Sequence, residues 1–598
     1  MTAVNEGGPG AARATGPAAV TGRDAAGVAG GNGSAQNPGG AATGHRKLLE
    51  QLRADGVGHL FGNPGSSEEG LLDEIARFGD IQYVMGLAEA GLVCTADGYA
   101  QASGRPAVLL LHSGVGLGNA VGSLYHALRR QTPMVVLAGE AGVEYDALDA
   151  HMAADLVAIA RPVTKYATRV IHPGSLLRLL RRCLKIAQTP PYGPVFLALP
   201  QDILDQPNIE PVLRTVVPDV GIMPSPTAIT EAARLLAGAR NPVILAGDGV
   251  ANRNATGELA SLAQTWGADV YGAMASELLM DWAHPLYGGL TGHMFGTASA
   301  KLVADADAVL ICGTYLFPDV FGLTSNPIRA DVPVVHIDLD PTAIAKNHPV
   351  NLGLVGCPKL ALAALDTALV GAMSPDQRSA AAERLDTRST EREQVRVQAR
   401  RADRQRRDEI PLRMSAVAQV LADLVPADAI IFDESLTNSP ELTRWITPRL
   451  PGTFFQTPGG TLGVGLPGAI GAKLARPDRT VIGFSGDGGA MYTFQALWTA
   501  AHHRIGAKFV VCHNGGYRLL KENLVEYWRE RGSTGDEFPP FFDVGEPTVD
   551  YLALAQGLGV RAERIAKPDQ IEPVLRAMLD HDGPFLVEVQ LEREVPGS

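Results

Sequence analysis

Short, continuous apolar runs bounded by turn residues recur along this chain, and the stretches between them repeat apolar positions every three or four residues. The runs are too short for helices and do not alternate, which is how strands buried on both faces of a parallel sheet read. From the amino end, a helix HRKLLEQLRADGV (45–57) and a strand VGHLF (57–61) lead into a sharp turn, FGNPGS (61–66). SSEEGLLDEIARF (66–78) predicts a second helix, with Ser66 and Glu69 spaced as a capping box. IQYVM, AVLLLH and MVVLAG predict further strands, separated by the helices EAGLVCTADGYAQAS (89–103) and GNAVGSLYHALRR (118–130). The alternation returns with PVILAG, ADAVLICG and PVVHIDLD, and again with AIIFDES, GTFFQT, TVIGFS, KFVVCHN and PFLVEVQ. It predicts an α/β protein of three doubly wound parallel-sheet domains, the first and third alike in size.

The expected divisions are a tail over 1–43, domains over 44–210, 220–372 and 411–592, and a connector over 373–410. The tail is mostly Gly and Ala and is expected to be disordered. It lacks the basic start and apolar core of a signal peptide, and no 18-residue apolar run follows, so the expected location is the cytoplasm, away from any membrane. The connector is charge-dense without an apolar face of normal width and reads as a solvated helix. At 598 residues and 46% hydrophobic the chain has ample core, and 64 acids against 51 bases, a net charge of −13, argue against nucleic acid as a partner. Five cysteines without CxxC spacing read as reduced core residues, not a zinc site.

The chemistry is densest near the carboxyl end. Gly486-Asp487-Gly488 follows strand TVIGFS, Asn514-Gly515-Gly516 closes strand KFVVCHN, and TFQALWTAAHH (493–503) is the helix between. A βαβ unit puts both strand ends on one sheet edge, so a carboxylate and a carboxamide oxygen meet beside glycines that let a backbone approach closely. Hard oxygen ligands in that setting suit a Mg²⁺ that carries a diphosphate. Two similar motifs read as structural. Gly247-Asp248-Gly249 repeats the tripeptide but has Met274, Ala275 and Ser276 where the Asn is needed. Gly463-Val464-Gly465-Leu466-Pro467-Gly468 fits G-x-G-x-x-G, yet Pro458 and three glycines break the segment before it, so small residues that let a helix pack closely are the better reading.

Taken in order, FGNPGS, LAEAGLVCTADGYAQASGRP, LLHSGVGLGNAVG and GDGGAMYTFQALWTAAHHRIGAKFVVCHNGGY resemble the thiamine diphosphate-dependent 2-oxo acid decarboxylase and acetolactate synthase family, most of all the benzoylformate decarboxylases, over about residues 44–591. The resemblance implies a pyrimidine-binding first domain, a middle domain and a diphosphate-binding third domain, with thiamine diphosphate and Mg²⁺ as cofactors. The implied reaction is non-oxidative decarboxylation of a 2-oxo acid with a medium or aromatic side chain to an aldehyde. Carboligation with a second carbonyl compound stays open as the alternative, as does a structural flavin. By resemblance, Asp487, Asn514 and the carbonyl of Gly516 are the metal ligands. Gly486, Gly488, Gly489 and Tyr517 lie along the diphosphate, with the positive end of the helix from about Thr493. Gly460 offers its carbonyl to the aminopyrimidine, and Leu462 is the bulky residue under the cofactor.

The first domain supplies the remaining implied groups. Glu89 shares a proton with the pyrimidine ring across a subunit boundary, His112 relays protons near neutral pH, and Ser66 contacts the substrate carboxylate. The chain departs from the pattern where a second, middle-domain histidine is expected: TYLFPDVFGLT (314–324) has none, and His293 in TGHMFG is the nearest substitute. Leu436 and Thr437 stand for smaller polar residues, and Leu519 and Leu520 are expected on the substrate side of the pocket. A homodimer is the implied minimum and a homotetramer the implied assembly.

Overall fold

The computed structural model describes residues 42–458, 460–533 and 537–593. The expected disordered tail therefore lies outside the described residues except for its last two positions, where Thr43 caps the helix Gly44–Ala54. Three six-stranded sheets follow, every strand pairing parallel. In the first, β1 (His59–Gly62), β2 (Gln82–Met85), β3 (Ala107–His112), β4 (Met134–Glu140), β5 (Tyr166–Arg169) and β6 (Pro194–Pro200) lie in the order β2-β1-β3-β4-β6-β5. In the middle one, β7 (Pro242–Ala246), β8 (Asp269–Gly272), β9 (Tyr287–Leu290), β10 (Ala308–Cys312), β11 (Val334–Asp338) and β12 (Leu352–Val355) run β9-β8-β7-β10-β11-β12. In the third, β13 (Ile430–Glu434), β14 (Phe454–Gln456), β15 (Val481–Gly486), β16 (Lys508–His513), β17 (Arg561–Ile565) and β18 (Phe585–Gln590) repeat the first order as β14-β13-β15-β16-β18-β17.

The continuous apolar runs are explained by helices on both faces. In the first sheet Val108, Leu110, Val135 and Leu137 belong to one core, while Leu109, Leu111, Val136 and Ala138 belong to the other. These central strands thus feed two cores on alternate residues, which is why their middle positions are apolar without a break. In the first and third sheets the chain reverses direction between β1 and β3 and between β13 and β15. The crevice outside the carboxyl ends of those strands is where open α/β sheets bind ligands. Gly62 to Ser66 and His112 stand at one such crevice, Glu434 and Asp487 at the other.

The first and third domains are locked face to face by glycines. The helix Glu89–Ser103 packs on Gly465–Ala475 so closely that a Cβ at Gly98 would overlap the backbone of Gly468, and one at Gly471 would overlap the Thr95 carbonyl. Cys94 accordingly joins the core of the third domain. The helix Pro375–Gln405, with Ser374 and Gln377 as a capping box, differs from a merely solvated connector. Its arginines recur every four residues, and each row step turns about 40° round the helix, so the row meets two domains in succession. Arg384 donates to the Trp266 and Gly267 carbonyls (2.6 and 3.1 Å), and Arg388 and Arg392 pair with Asp269 (3.1 and 2.5 Å). Arg400 then donates twice to the Arg444 carbonyl (3.1 and 2.8 Å) and lies over the Trp445 ring.

All three domains meet at Arg130, whose side chain is fully buried, pairs with Asp97 at 3.1 Å and lies 5.1 Å from the Phe432 ring. Asp248, of the second Gly-Asp-Gly, is taken up beside it by the Ser276 amide (2.8 Å), the Ser276 hydroxyl (2.6 Å) and the Glu277 amide (3.3 Å). Burial, and next the Asp248 carboxylate, push Glu277 up to about 8, against the opposing field of Arg130. The folded chain holds that proton more tightly than an unfolded chain with an ordinary value of 4.5. Its stabilisation is therefore complete below the unfolded value, declines as pH rises and is gone above about 8. Glu277→Gln is expected to flatten the fall of the thermal unfolding midpoint between pH 5 and 9; a wild-type slope in the variant would disprove the assignment.

Candidate active site

Asp487 caps β15 and Asn514 follows β16, neighbours in the sheet through the pairing of Gly486 with Cys512. Asp487 is 3% exposed; its Oδ1 accepts from Gly488 N–H (2.7 Å), and its Oδ2 from Asn514 N–H (3.0 Å) and Gly515 N–H (2.6 Å). Burial raises its pKa, opposed by those amides and by His513. Asn514 Oδ1 accepts from Gly516 N–H at 3.1 Å. Gly515 needs its missing side chain: φ is +68°, and a Cβ would stand 2.7 Å from the Arg593 guanidinium. A Cβ at Gly486 would meet nothing within 4 Å, so space is open beside the Asp487 strand end.

Two expectations differ from the geometry, the direction of the Tyr517 N–H and the start of the helix. Tyr517 N–H donates to the Phe542 carbonyl (2.8 Å), because residues 542–544 pair across the Asn514 turn, and so it is not directed at a ligand. The Gly516 carbonyl accepts from Arg518 N–H at 2.9 Å. The helix expected from about Thr493 begins at Ala496, since Thr493 turns its hydroxyl onto the Gly463 carbonyl (2.6 Å). Residues 487–490 form a single helical turn instead, directly after β15.

Glu434, at the end of β13, escaped the sequence reading. It is 1% exposed and accepts from Gly463 N–H (2.6 Å), Gly465 N–H (2.8 Å) and the Ser485 hydroxyl (3.0 Å). The chain's own carboxylate thus fills the helix N-terminus where a dinucleotide phosphate would sit, and burial pushes it up to about 7 despite those donors. The signal was the pair of acids, Asp433 and Glu434, at the end of the otherwise apolar run AIIFDES.

A cavity of about 730 Å³ opens between the middle and third domains, lined by Gly460 and Leu462 with His293, Leu436, Tyr492 and Leu519 among others. Leu520, expected beside Leu519, is 42% exposed and does not line it, because helix geometry turns consecutive residues about 100° apart. Met274 and Leu436, both on this wall, hold left-handed φ of 49° and 52°, a strain that clusters at working sites.

The first-domain groups stand elsewhere. Glu89 begins its helix, 7% exposed, and its two oxygens accept from the carboxamides of Asn63 (3.2 Å) and Asn119 (3.1 Å). His112 and Ser66 line a separate cavity of about 810 Å³ bounded by first-domain residues alone. Ser66 is no helix cap: the helix Glu69–Phe78 starts after Glu68 without a side-chain cap, so the expected box with Glu69 does not form. One chain therefore groups Gly460 with Leu462 and His112 with Ser66, without bringing the two sets into one cavity.

Two parallel-sheet domains of one topology each carry polar groups at the switch point, the place where open α/β sheets bind ligands. Its family follows from comparison. The thiamine pyrophosphate enzyme N-terminal TPP binding domain matches residues 42–159, the central domain 229–365, and the C-terminal TPP binding domain 440–589. Benzoylformate decarboxylase of Pseudomonas aeruginosa is 32% identical, the alignment covering 92% of this chain and 99% of that one. A probable acetolactate synthase large subunit of Methanococcus aeolicus is 28% identical, over 92% of each. Among solved structures, a thiamine diphosphate-dependent 4-hydroxybenzoylformate decarboxylase of Rhodococcus jostii RHA1 superposes with a TM-score of 0.79 at 26% identity, over 92% of this chain and 100% of that one. A putative thiamin diphosphate-dependent enzyme of Mycobacterium smegmatis gives 0.78 at 28%, with the same coverage. The chain belongs to the thiamine pyrophosphate enzyme family, and its two TPP binding domains imply thiamine diphosphate. Among the described residues, no helix is long and apolar enough to cross a membrane.

Proposed function

We propose that the protein is a thiamine diphosphate- and Mg²⁺-dependent 2-oxo acid decarboxylase that releases an aldehyde and CO₂. The observation that carries this is the oxygen pair of Asp487 and Asn514 at adjoining strand ends, beside open glycine backbone. The donor set fits the group: Mg²⁺ is held by one or two carboxylates together with phosphate oxygens, and among the described residues no three His, Cys, Asp or Glu converge to form a cage without them. Asp487, Asn514 and the Gly516 carbonyl would hold the ion, Gly486, Gly488 and Gly489 would flank the diphosphate, and Gly460 and Leu462 would meet the cofactor's rings. Thiamine diphosphate, when bound, supplies the electron sink for the pair left behind by CO₂.

The chain's own residues do the rest. On this reading Glu89, a buried carboxyl, exchanges a proton with a ring nitrogen, His112, a strand-end imidazole, passes protons to the substrate, and the Ser66 hydroxyl meets its carboxylate. Leu436, Leu519 and Met274 give the 730 Å³ cavity an apolar wall suited to a medium or aromatic side chain, with His293 as its imidazole. His112 lines a different cavity from Gly460 and Leu462, and Glu89 lines neither, which supports a working unit of at least a homodimer; we favour a homotetramer. The five cysteines are buried and unpaired, in keeping with a reducing cytoplasm. Carboligation is the second reading, favoured by a cavity roomy enough for two carbonyl compounds and by the missing histidine after Gly313. Pyruvate, phenylpyruvate and benzoylformate, each with and without an aldehyde acceptor, separate the two. Aldehyde release without acceptor is expected for phenylpyruvate or benzoylformate; products that form only with acceptor would favour the ligase.

A further inference from the structure

The segment after the FGNPGS turn places three polar side chains in mutual contact beneath the 810 Å³ cavity. His112 Nδ1 lies 3.0 Å from Ser67 Oγ and 3.2 Å from Glu68 Oε2, while Ser67 Oγ donates to Glu68 Oε1 at 3.0 Å. Both contacts fall on the same ring nitrogen, which leaves Nε2 without a bond to either residue. Glu68 is 3% exposed, and its neighbourhood is cleared for it: a Cβ at Gly139 would stand 2.7 Å from its side chain, and one at Gly65 would overlap the His112 ring.

The direction of the hydrogen bonds follows from counting donors. The Ser67 hydroxyl has one proton, and it points to Glu68 Oε1. Its lone pair then faces Nδ1, as does Glu68 Oε2, so Nδ1 meets two acceptors and must itself carry the proton. We propose that Glu68 is a positioning residue which, with Ser67, holds His112 as the Nδ1–H tautomer, so that Nε2 is the nitrogen that exchanges protons with a ligand in the cavity. This rests on the reading of His112 as a working residue of the active site. Burial raises the Glu68 pKa, but the His112 ring, the Ser67 hydroxyl and its own backbone N–H all act to keep the carboxylate ionised. A histidine oriented through one nitrogen by a buried carboxylate presents the other in a single tautomer and direction.

Histidine-selective ¹⁵N magic-angle-spinning NMR on the full chain tests this without turnover, with the His112 signals identified by their loss in His112→Asn. Wild type is expected to show a protonated Nδ1 and a bare Nε2. In Glu68→Gln the carboxamide can equally donate to Nδ1, so the Nε2–H form should gain population. The kcat should fall on the order of 10- to 100-fold with KM little changed, the range typical of lost orienting partners. Glu68→Asp, which keeps the charge, should recover part of that loss, whereas a packing role alone would predict the shorter side chain to be worse than glutamine. A wild-type His112 protonated at Nε2 overturns the proposal, as does a Glu68→Gln enzyme with normal kcat when His112→Asn is crippled. Normal turnover in His112→Asn would sink the underlying reading instead, and the tautomer signal would still decide the role of Glu68.

Discussion

Asp487→Ala is expected to weaken binding of thiamine diphosphate in the presence of Mg²⁺ by about 100-fold or more, ~2.7 kcal/mol, read by titration calorimetry. The carboxylate has two duties, and the variant loses both. It is the one formal charge among the ion's protein ligands, and a divalent ion that keeps only neutral oxygens is held far less tightly. It also accepts the amides of Gly488, Asn514 and Gly515, so alanine leaves two buried donors and one half-buried donor unmet, at about 1–3 kcal/mol for each that water does not reach. Asp487→Asn separates the two effects. Its amide oxygen can still accept from Asn514 and Gly515 while its NH2 faces the Gly488 N–H, so stability should fall by about 1 kcal/mol, less than in alanine, while affinity falls by about tenfold or more. Unchanged affinity in both variants would remove the metal site, and with it the proposed chemistry.

What the sequence could tell depended on whether a signal was local. The parallel sheets were legible because runs such as AVLLLH must be apolar on both faces, and the structure splits them residue by residue into two cores. The edge strands β5, β9, β12 and β17 were not, since strands such as Tyr166–Arg169 are half-polar and short, and the internal β8 is only the four residues DVYG. β6 was missed for another reason: PVFLALP is wholly buried but bounded by prolines, which a strand tolerates at its ends. The arginine row of Pro375–Gln405 was visible as spacing, yet its meaning lay in carbonyls more than 40 residues away. Site residues divide the same way. Asp487 and Asn514 announce themselves through neighbouring glycines, whereas Glu434 and Glu68 act on partners whose positions only the fold reveals.

Glu89→Gln should lower kcat by about 10²- to 10⁴-fold while leaving thiamine diphosphate and Mg²⁺ affinity within a few-fold of wild type. The two observables separate because Glu89 lies among Asn63, Asn119 and the backbone near Gly116, far in the chain from the Asp487 turn that would anchor the diphosphate. Glutamine has the same shape but brings a donor where two carboxamide donors already point, so one contact is lost. That costs about 1 kcal/mol in stability and does not expel a ligand. What glutamine cannot do is give up and recover a proton, and proton exchange is the task assigned to this carboxyl. A carboxylate facing two amide N–H groups at a helix N-terminus is also a sound structural feature in its own right, and on that reading the substitution would dent stability and spare the rate. The ratio of the two losses therefore decides: a rate deficit of two orders or more with the unfolding midpoint shifted by a few degrees assigns Glu89 to proton transfer. Normal turnover with a similar shift would return it to the scaffold.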